Sequence, residues 1–267
     1  CFTIETDPET KEMVLSGLGD MQLKVLISKL AGKPYNVECD LGKPKVPYRE
    51  AIRKKVKVQG KHKKQSGGHG QYGDVWIEFE PNPESEELVF AESVFGGAVP
   101  KNFFPAVEKG IIDAVSAGPL AAYPVVGIKT TLYDGSYHPV DSSENAFKIA
   151  SKGCFKKGVM EANPVLLEPI ASMKVVVDND YTGDVMGDLN KRRGRVMGMN
   201  ALDNEKTEIE AEIPYAELYG YGTTLRSMTA GSGEYSYEFV RYEQTPHDVQ
   251  EAEVAARAKQ LEGEDEE

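Results

Sequence analysis

From residue 170 to 240 the apolar residues of this chain change period repeatedly, and the order of the changes restricts the fold more than any other feature. Met173, Val175 and Val177 alternate as in a half-buried strand, and Tyr181 to Arg193 then follows a helical period. Arg195 to Met199 and Thr207 to Ile213 return to strand, the second with Ile209, Ala211 and Ile213 on one face. A helix near Tyr219 to Met228 and a strand carrying Tyr235, Tyr237 and Phe239 on one face complete the series. Strand, helix, strand, strand, helix, strand is the order of a ferredoxin-like module, in which four antiparallel strands carry both helices on one side.

The beginning of the chain holds a shorter alternation. Residues 2–6 and 13–15 read as strands joined by a turn at Asp7 and Pro8. Met21, Leu23, Val25, Leu26 and Leu30 form an amphipathic helix that Gly32 and Pro34 stop, and Tyr35, Val37 and Cys39 predict a third strand. Some forty residues are too few for an independent core. The middle of the chain opens with a basic segment, passes through a glycine-rich loop between Gln59 and Tyr72, and resumes as a strand with Val75, Ile77 and Phe79, so the loop is the tip of a hairpin. A helix over 101–117, a strand over Tyr123 to Tyr133 and a tight connection at 134–139 follow. Asp141 with Glu144 predicts a capping box before a helix that buries Ala146, Phe147, Ile149, Ala150 and Phe155. Asn163-Pro164 and Glu168-Pro169 mark a boundary, and Asp248 to Leu261 predicts a last helix before an acidic block at residues 262–267 that is expected to be disordered.

Charge divides the chain. The net charge of -12 argues against a nucleic-acid partner, yet Arg49, Arg53, Lys54, Lys55, Lys57, Lys61, Lys63 and Lys64 stand within sixteen residues that hold one acid, Glu50. No apolar run approaches the ~20 residues of a membrane span, and no secretory leader is visible. Three scattered cysteines suggest neither a disulfide framework nor a zinc site, so a reducing cytoplasm is expected.

Most motifs for catalysis fail on context. Gly68 to Gly73 matches G-x-G-x-x-G, but a lysine-rich loop precedes it and a strand follows, where a dinucleotide site needs a buried strand and then a helix. Neither a P-loop nor a G-x-S-x-G elbow occurs. The four histidines lack metal-ligand spacing, and His138 with Asp141 and Ser142 reads better as a turn than as a hydrolase triad. The basic loop is sharper: lysines, glycines and exposed His, Gln and Ser are what RNA contact uses, although a hairpin tip also takes Lys and Gly for solubility. Arg192, Arg193 and Arg195 form a smaller basic cluster that fits a helix C-terminus.

Long segments in fixed order, among them LSGLGDMQLKVLISKL (15–30), QSGGHGQYGDV (65–75), DGSYHPVDSSENAFKIA (134–150), TGDVMGDLNKRRG (182–194) and YSYEFVRYEQTP (235–246), resemble the C-terminal half of translation elongation factor G. The resemblance implies an α+β, multi-domain chain. Residues 1–41 would be the second half of a ferredoxin-like domain III, 42–168 a ribosomal-protein-S5-type domain IV, 169–247 a ferredoxin-like domain V, and 248–267 a helix with a disordered tail. It further implies a fragment that lacks the GTPase domain, so that GTP and magnesium are expected elsewhere and no cofactor, metal, catalytic residue or small-molecule substrate here. The implied partner is the ribosome, including ribosomal RNA and the tRNA-mRNA of the decoding site, with no membrane. The implied tip residues are Lys61, Lys63, Lys64, Gln65, Ser66, Gly67, Gly68, His69 and Gln71 in one loop, and Ser136, Tyr137, His138 and Asp141 in another. Arg192 and Arg193 would face large-subunit RNA. Gly19-Asp20-Met21-Gln22-Leu23 and His62-Lys63-Lys64 depart from the family's commoner pattern and suggest a paralogue serving elongation, ribosome recycling or protection from an antibiotic. A protein-interaction module that pairs through the edge left in residues 1–41 is the remaining reading.

Overall fold

A computed structural model describes residues 2–65 and 67–264. The chain forms two compact units, one of residues 1–47 with 168–243 and one of 48–167 with 244 onward.

In the first unit β1 (Phe2–Thr6) and β2 (Met13–Gly17) pair antiparallel, with Phe2 opposite Gly17. Asp7 closes their turn by accepting the amides of Glu9 and Thr10, both at 2.8 Å. Helix α1 (Asp20–Ala31) follows. The strand expected at Tyr35 to Cys39 does not form. Tyr35 and Asn36 donate their amides to the Gly32 carbonyl and Val37 donates to Leu30, so these groups finish the helix and cannot enter a ladder.

The second unit is built on β3 (Arg49–Ile52), β4 (Val56–Lys64), β5 (Gln71–Pro81), β6 (Val89–Glu92), α2 (Phe104–Val115), β7 (Ile128–Ser136) and α3 (Glu144–Glu161). Four strands make a sheet in the order β4-β5-β7-β6, in which β6 runs parallel to β7 and the other pairs are antiparallel. Val58, Val75, Ile77, Phe79 and Leu132 meet Val107, Ile111, Phe147 and Phe155 of the helices in one core. Gly60 and Gly73 let α3 lie close on the sheet, because a Cβ at either would run into Cys154 or the Ala146 carbonyl. Burial pushes the Cys154 thiol up to about 12, so it stays protonated and packs as an apolar group.

Three expectations here need correction. Ile149, expected on the buried side of α3, is exposed. The strand begins at Ile128 and not at Tyr123, because Leu120, Ala121 and Tyr123 point their amides at the carboxylate of Glu50, at 3.1, 2.8 and 3.1 Å. Glu50 is fully buried, and that burial raises its pKa against the pull of the three amides. The cap of α3 is Ser143, whose Oγ accepts from Ala146 at 3.1 Å, and not Asp141.

Strand β8 (Pro164–Asp178) pairs with β3 over Pro164 to Leu167 and with β10 from Ile170 onward; the division between the units falls inside it, after Leu167. Then come α4 (Thr182–Lys191), β9 (Arg195–Leu202), β10 (Lys206–Pro214), α5 (Tyr221–Met228) and β11 (Glu234–Gln244). The strand order β11-β8-β10-β9 is the ferredoxin-like arrangement, with Met173, Val175, Ile209 and Ile213 packed against Val185, Leu189, Tyr221 and Leu225. Helix α6 (His247–Glu264) runs three residues past Leu261, so Glu262 to Glu264 are helical where disorder was expected; Asp265, Glu266 and Glu267 lie outside the described residues. Among the described residues no helix is long and apolar enough to cross a membrane.

Candidate nucleic-acid interface

Strand register brings the two tip loops together. Lys64 stands opposite Gln71, which leaves residues 65–70 as the hairpin loop, and Ser136 stands opposite Asp74, so the connection from Tyr137 to Ser143 leaves the sheet at the same end. Side chains then fasten one loop to the other. Gly70 donates its amide to Asp141 Oδ1 at 3.0 Å, Tyr72 donates its amide to the Asp141 carbonyl at 2.8 Å, and Ser142 Oγ donates to the Tyr72 carbonyl at 2.9 Å. Beneath them Ser136 Oγ donates to Asp74 Oδ2 at 2.6 Å and therefore accepts from the Tyr72 hydroxyl at 2.7 Å. Gln59 donates to the other oxygen of Asp74 at 2.8 Å.

His138 sits on this clamp with a fixed ring. Its Nδ1 accepts the amides of Val140 and Asp141, at 3.2 and 3.1 Å. Asp141 Oδ2 is 3.5 Å from the same nitrogen, which would suit an ion pair with a protonated ring. Two N–H groups already aim at Nδ1, so it carries the lone pair, and the proton of the neutral ring sits on Nε2. The side chain is half exposed.

The cations beside it are uncommitted. Among the described residues Lys61, Lys63 and Lys64 have no carboxylate within ion-pair distance, although Lys61 lies over the Tyr72 ring at 5.4 Å. Gly67 and Gly68 hold φ of 62° and 85°, a left-handed turn that exposes the loop backbone. Gln65 and His69 are exposed, and Gln71 lies 2.8 Å from His62 through its amide oxygen. Ser66 lies outside the described residues. Tyr137 is exposed on the second loop.

Arg192 and Arg193 are placed otherwise. Arg192 donates to Asp188 at 2.9 Å, to the Glu217 carbonyl at 2.8 Å and to Thr224 at 3.0 Å. Arg193 grips the buried Glu168 with two bonds of 2.8 and 2.9 Å, and this pairing raises its pKa further. The guanidinium groups therefore brace the end of α4 against its neighbours. Sequence reasoning missed Tyr72, Asp74 and Ser142 as parts of the clamp; for Tyr72 and Asp74 the period-2 position beside a glycine loop was the signal, and for Ser142 there was none. A hydrolase triad does not form, because Ser142 Oγ donates to a backbone carbonyl and accepts the His138 amide at 2.8 Å, away from the imidazole.

Comparison with known families agrees with this geometry. Residues 44–163 match "Elongation factor G, domain IV", residues 165–253 match "Elongation factor G C-terminus" and residues 1–43 match "Elongation Factor G, domain III". The chain belongs to the elongation factor G family. A crystal structure of a protein from Thermus thermophilus is similar over 97% of this chain and 38% of that one, with 43% sequence identity and a TM-score of 0.81. This elongation factor G chain thus spans about two-fifths of that protein's length.

Proposed function

We propose that this chain is the ribosome-reaching part of a translational GTPase, whose domain IV tip enters the decoding site and promotes movement of tRNA and mRNA. Lys61, Lys63 and Lys64 neutralise phosphates, the backbone and side chains of residues 65–71 and 136–137 follow the RNA, and His138 offers Nε2–H to an acceptor oxygen. Asp141 holds the two loops in place. GTP hydrolysis with magnesium belongs, in this proposal, to another part of a longer polypeptide. The observation that carries the reading is the pairing of three unneutralised lysines with a ring donor held in one tautomer, beside a clamp that ties Gly70 to Asp141.

Ribosome binding across a salt series tests it. Replacing Lys61, Lys63 and Lys64 with alanine should lower the slope of log K against log salt by about 2 to 3 units, close to one per phosphate. His138→Asn keeps an oxygen that can accept the turn amides but removes the outward donor, whereas His138→Gln does the reverse. If the donor matters, His138→Asn slows tRNA movement more than His138→Gln does. An unchanged salt slope in the lysine variant would overturn the proposal.

A further inference from the structure

The hairpin lysines continue down a sheet face that the tip reading leaves unused. Both helices of the domain IV sheet cover one face, with Val75, Ile77 and Phe79 of β5 turned to them. Tyr72, Asp74 and Trp76 alternate onto the other face. A β-bulge at Trp76 places Asp134 opposite it and leaves Tyr133 unpaired, which aims Tyr133 at the same surface, 6.5 Å from the Trp76 ring. Trp76 is the chain's one tryptophan. Lys57 lies over Tyr133 at 5.0 Å, and Lys61 lies over Tyr72 at 5.4 Å. Rings and lysines therefore interleave from the sheet centre to the tip, where Tyr72 and His138 are 6.4 Å apart.

The acids on this face are largely engaged. Asp74 is held by Gln59 and Ser136, Glu78 by Lys55 and Lys57, and Glu80 by Lys55 and Lys129. Asp134 accepts the Gly135 amide. Lys61 and Lys63 have no carboxylate partner among the described residues, so the net field toward the tip is positive. Stacking rings beside unneutralised cations match a strand whose bases are flat and whose backbone is anionic.

We infer that the open face of the domain IV sheet is a stacking platform for single-stranded RNA, with Trp76 and Tyr133 taking bases and Lys61 and Lys63 taking phosphates. The inference rests on the reading of the tip for the class of partner, and it extends the contact from the loops onto the sheet. Lys57 is the cation that the platform must release from Tyr133 when a base arrives. Tyr72 and Trp76 stand four steps apart on β5, about 13 Å of strand, which leaves room for two or three bases as on other four-stranded RNA-binding sheets.

Trp76 reports on the test directly. Oligouridylate should quench its fluorescence in the full chain saturably, whereas inorganic polyphosphate of matched charge should not. Binding of labelled oligouridylate should weaken at least ~5-fold in Trp76→Leu and recover in Trp76→Phe, because stacking on the ring and not indole hydrogen bonding is lost. Tyr133→Leu should weaken binding in the same direction without removing the fluorophore. No binding by the unaltered chain, quenching by polyphosphate as strong as by RNA, or full binding by Trp76→Leu would each overturn the platform. If oligouridylate binding falls in the Lys61, Lys63, Lys64 variant but not in Trp76→Leu, the tip reading stands and the platform fails. If it falls in Trp76→Leu while the lysine variant keeps its ribosome salt slope, the tip reading fails and the platform stands.

Discussion

Two basic clusters that look alike in the sequence have opposite surroundings in the fold. Arg192 and Arg193 meet carboxylates brought by Asp188, Glu168 and Glu217, and Glu168 is almost wholly buried. Lys61, Lys63 and Lys64 meet none among the described residues. Charge density along a chain therefore says little about its use. What decides it is whether the fold delivers an anion from elsewhere, since a paired guanidinium holds structure together and an unpaired ammonium remains open to an outside phosphate.

Breaking the paired cluster should have the largest effect on stability. Arg193→Met leaves the Glu168 carboxylate buried without its two donors, and should cost about 3 kcal/mol, read as a shift of the urea midpoint. Lys63→Ala and Lys64→Ala should each stay within about 0.5 kcal/mol. Equal losses at the two sites would erase the distinction.

A second effect, smaller on stability, separates positioning from contact. Asp141→Ala removes the oxygen that receives the Gly70 amide, and the clamp should loosen by about 1 to 2 kcal/mol, visible as faster hydrogen exchange at Gly70. Electrostatics alone predicts tighter RNA binding once an acid leaves the tip. The clamp predicts weaker binding, because the ordering of the loops would fall on the binding step. Tighter binding with unchanged exchange would place Asp141 among the bystanders.

Sequence patterns carried the module order and the position of both tip loops, because period and glycine placement are local properties. They did not carry what depends on distant partners. Asp141 followed by Glu144 has the spacing of a capping box, yet Gly70, seventy-one residues earlier, takes its carboxylate and Ser143 becomes the cap. Residues 123–127 read as the start of a strand, yet they make a single bridge to Glu50 at Val125, and the Glu50 carboxylate takes the amides of Ala121 and Tyr123. Tyr35 to Cys39 alternates too, but α1 needs its donors first. In the site the loops were legible, whereas the tautomer of His138 and the engagement of Arg192 and Arg193 were not, since both are set by groups that sequence spacing does not reveal.

The smallest effect extends the comparison to acid. On the open face of the ferredoxin-like sheet Glu212 accepts from Arg241 at 2.8 and 2.6 Å and is also paired with Arg195. Arg241 first and Arg195 second hold its carboxyl down to about 2, against an ordinary 4.5. Between those values the unfolded chain takes up a proton that the native chain does not, so the stability this group contributes is complete above the unfolded pKa and drains away as pH falls toward 2. Urea midpoints measured from pH 5 to pH 2.5 should therefore drop less in Glu212→Gln than in the unaltered chain. The difference should be modest, because the pairs lie near water and salt screens them. Replacing Lys61, Lys63 and Lys64 should leave the acid curve where it was, since no carboxylate among the described residues is held down by those lysines. A lysine variant that flattened the curve as Glu212→Gln does would mean that the tip cations also brace the fold, and the contrast between the two clusters would be one of degree.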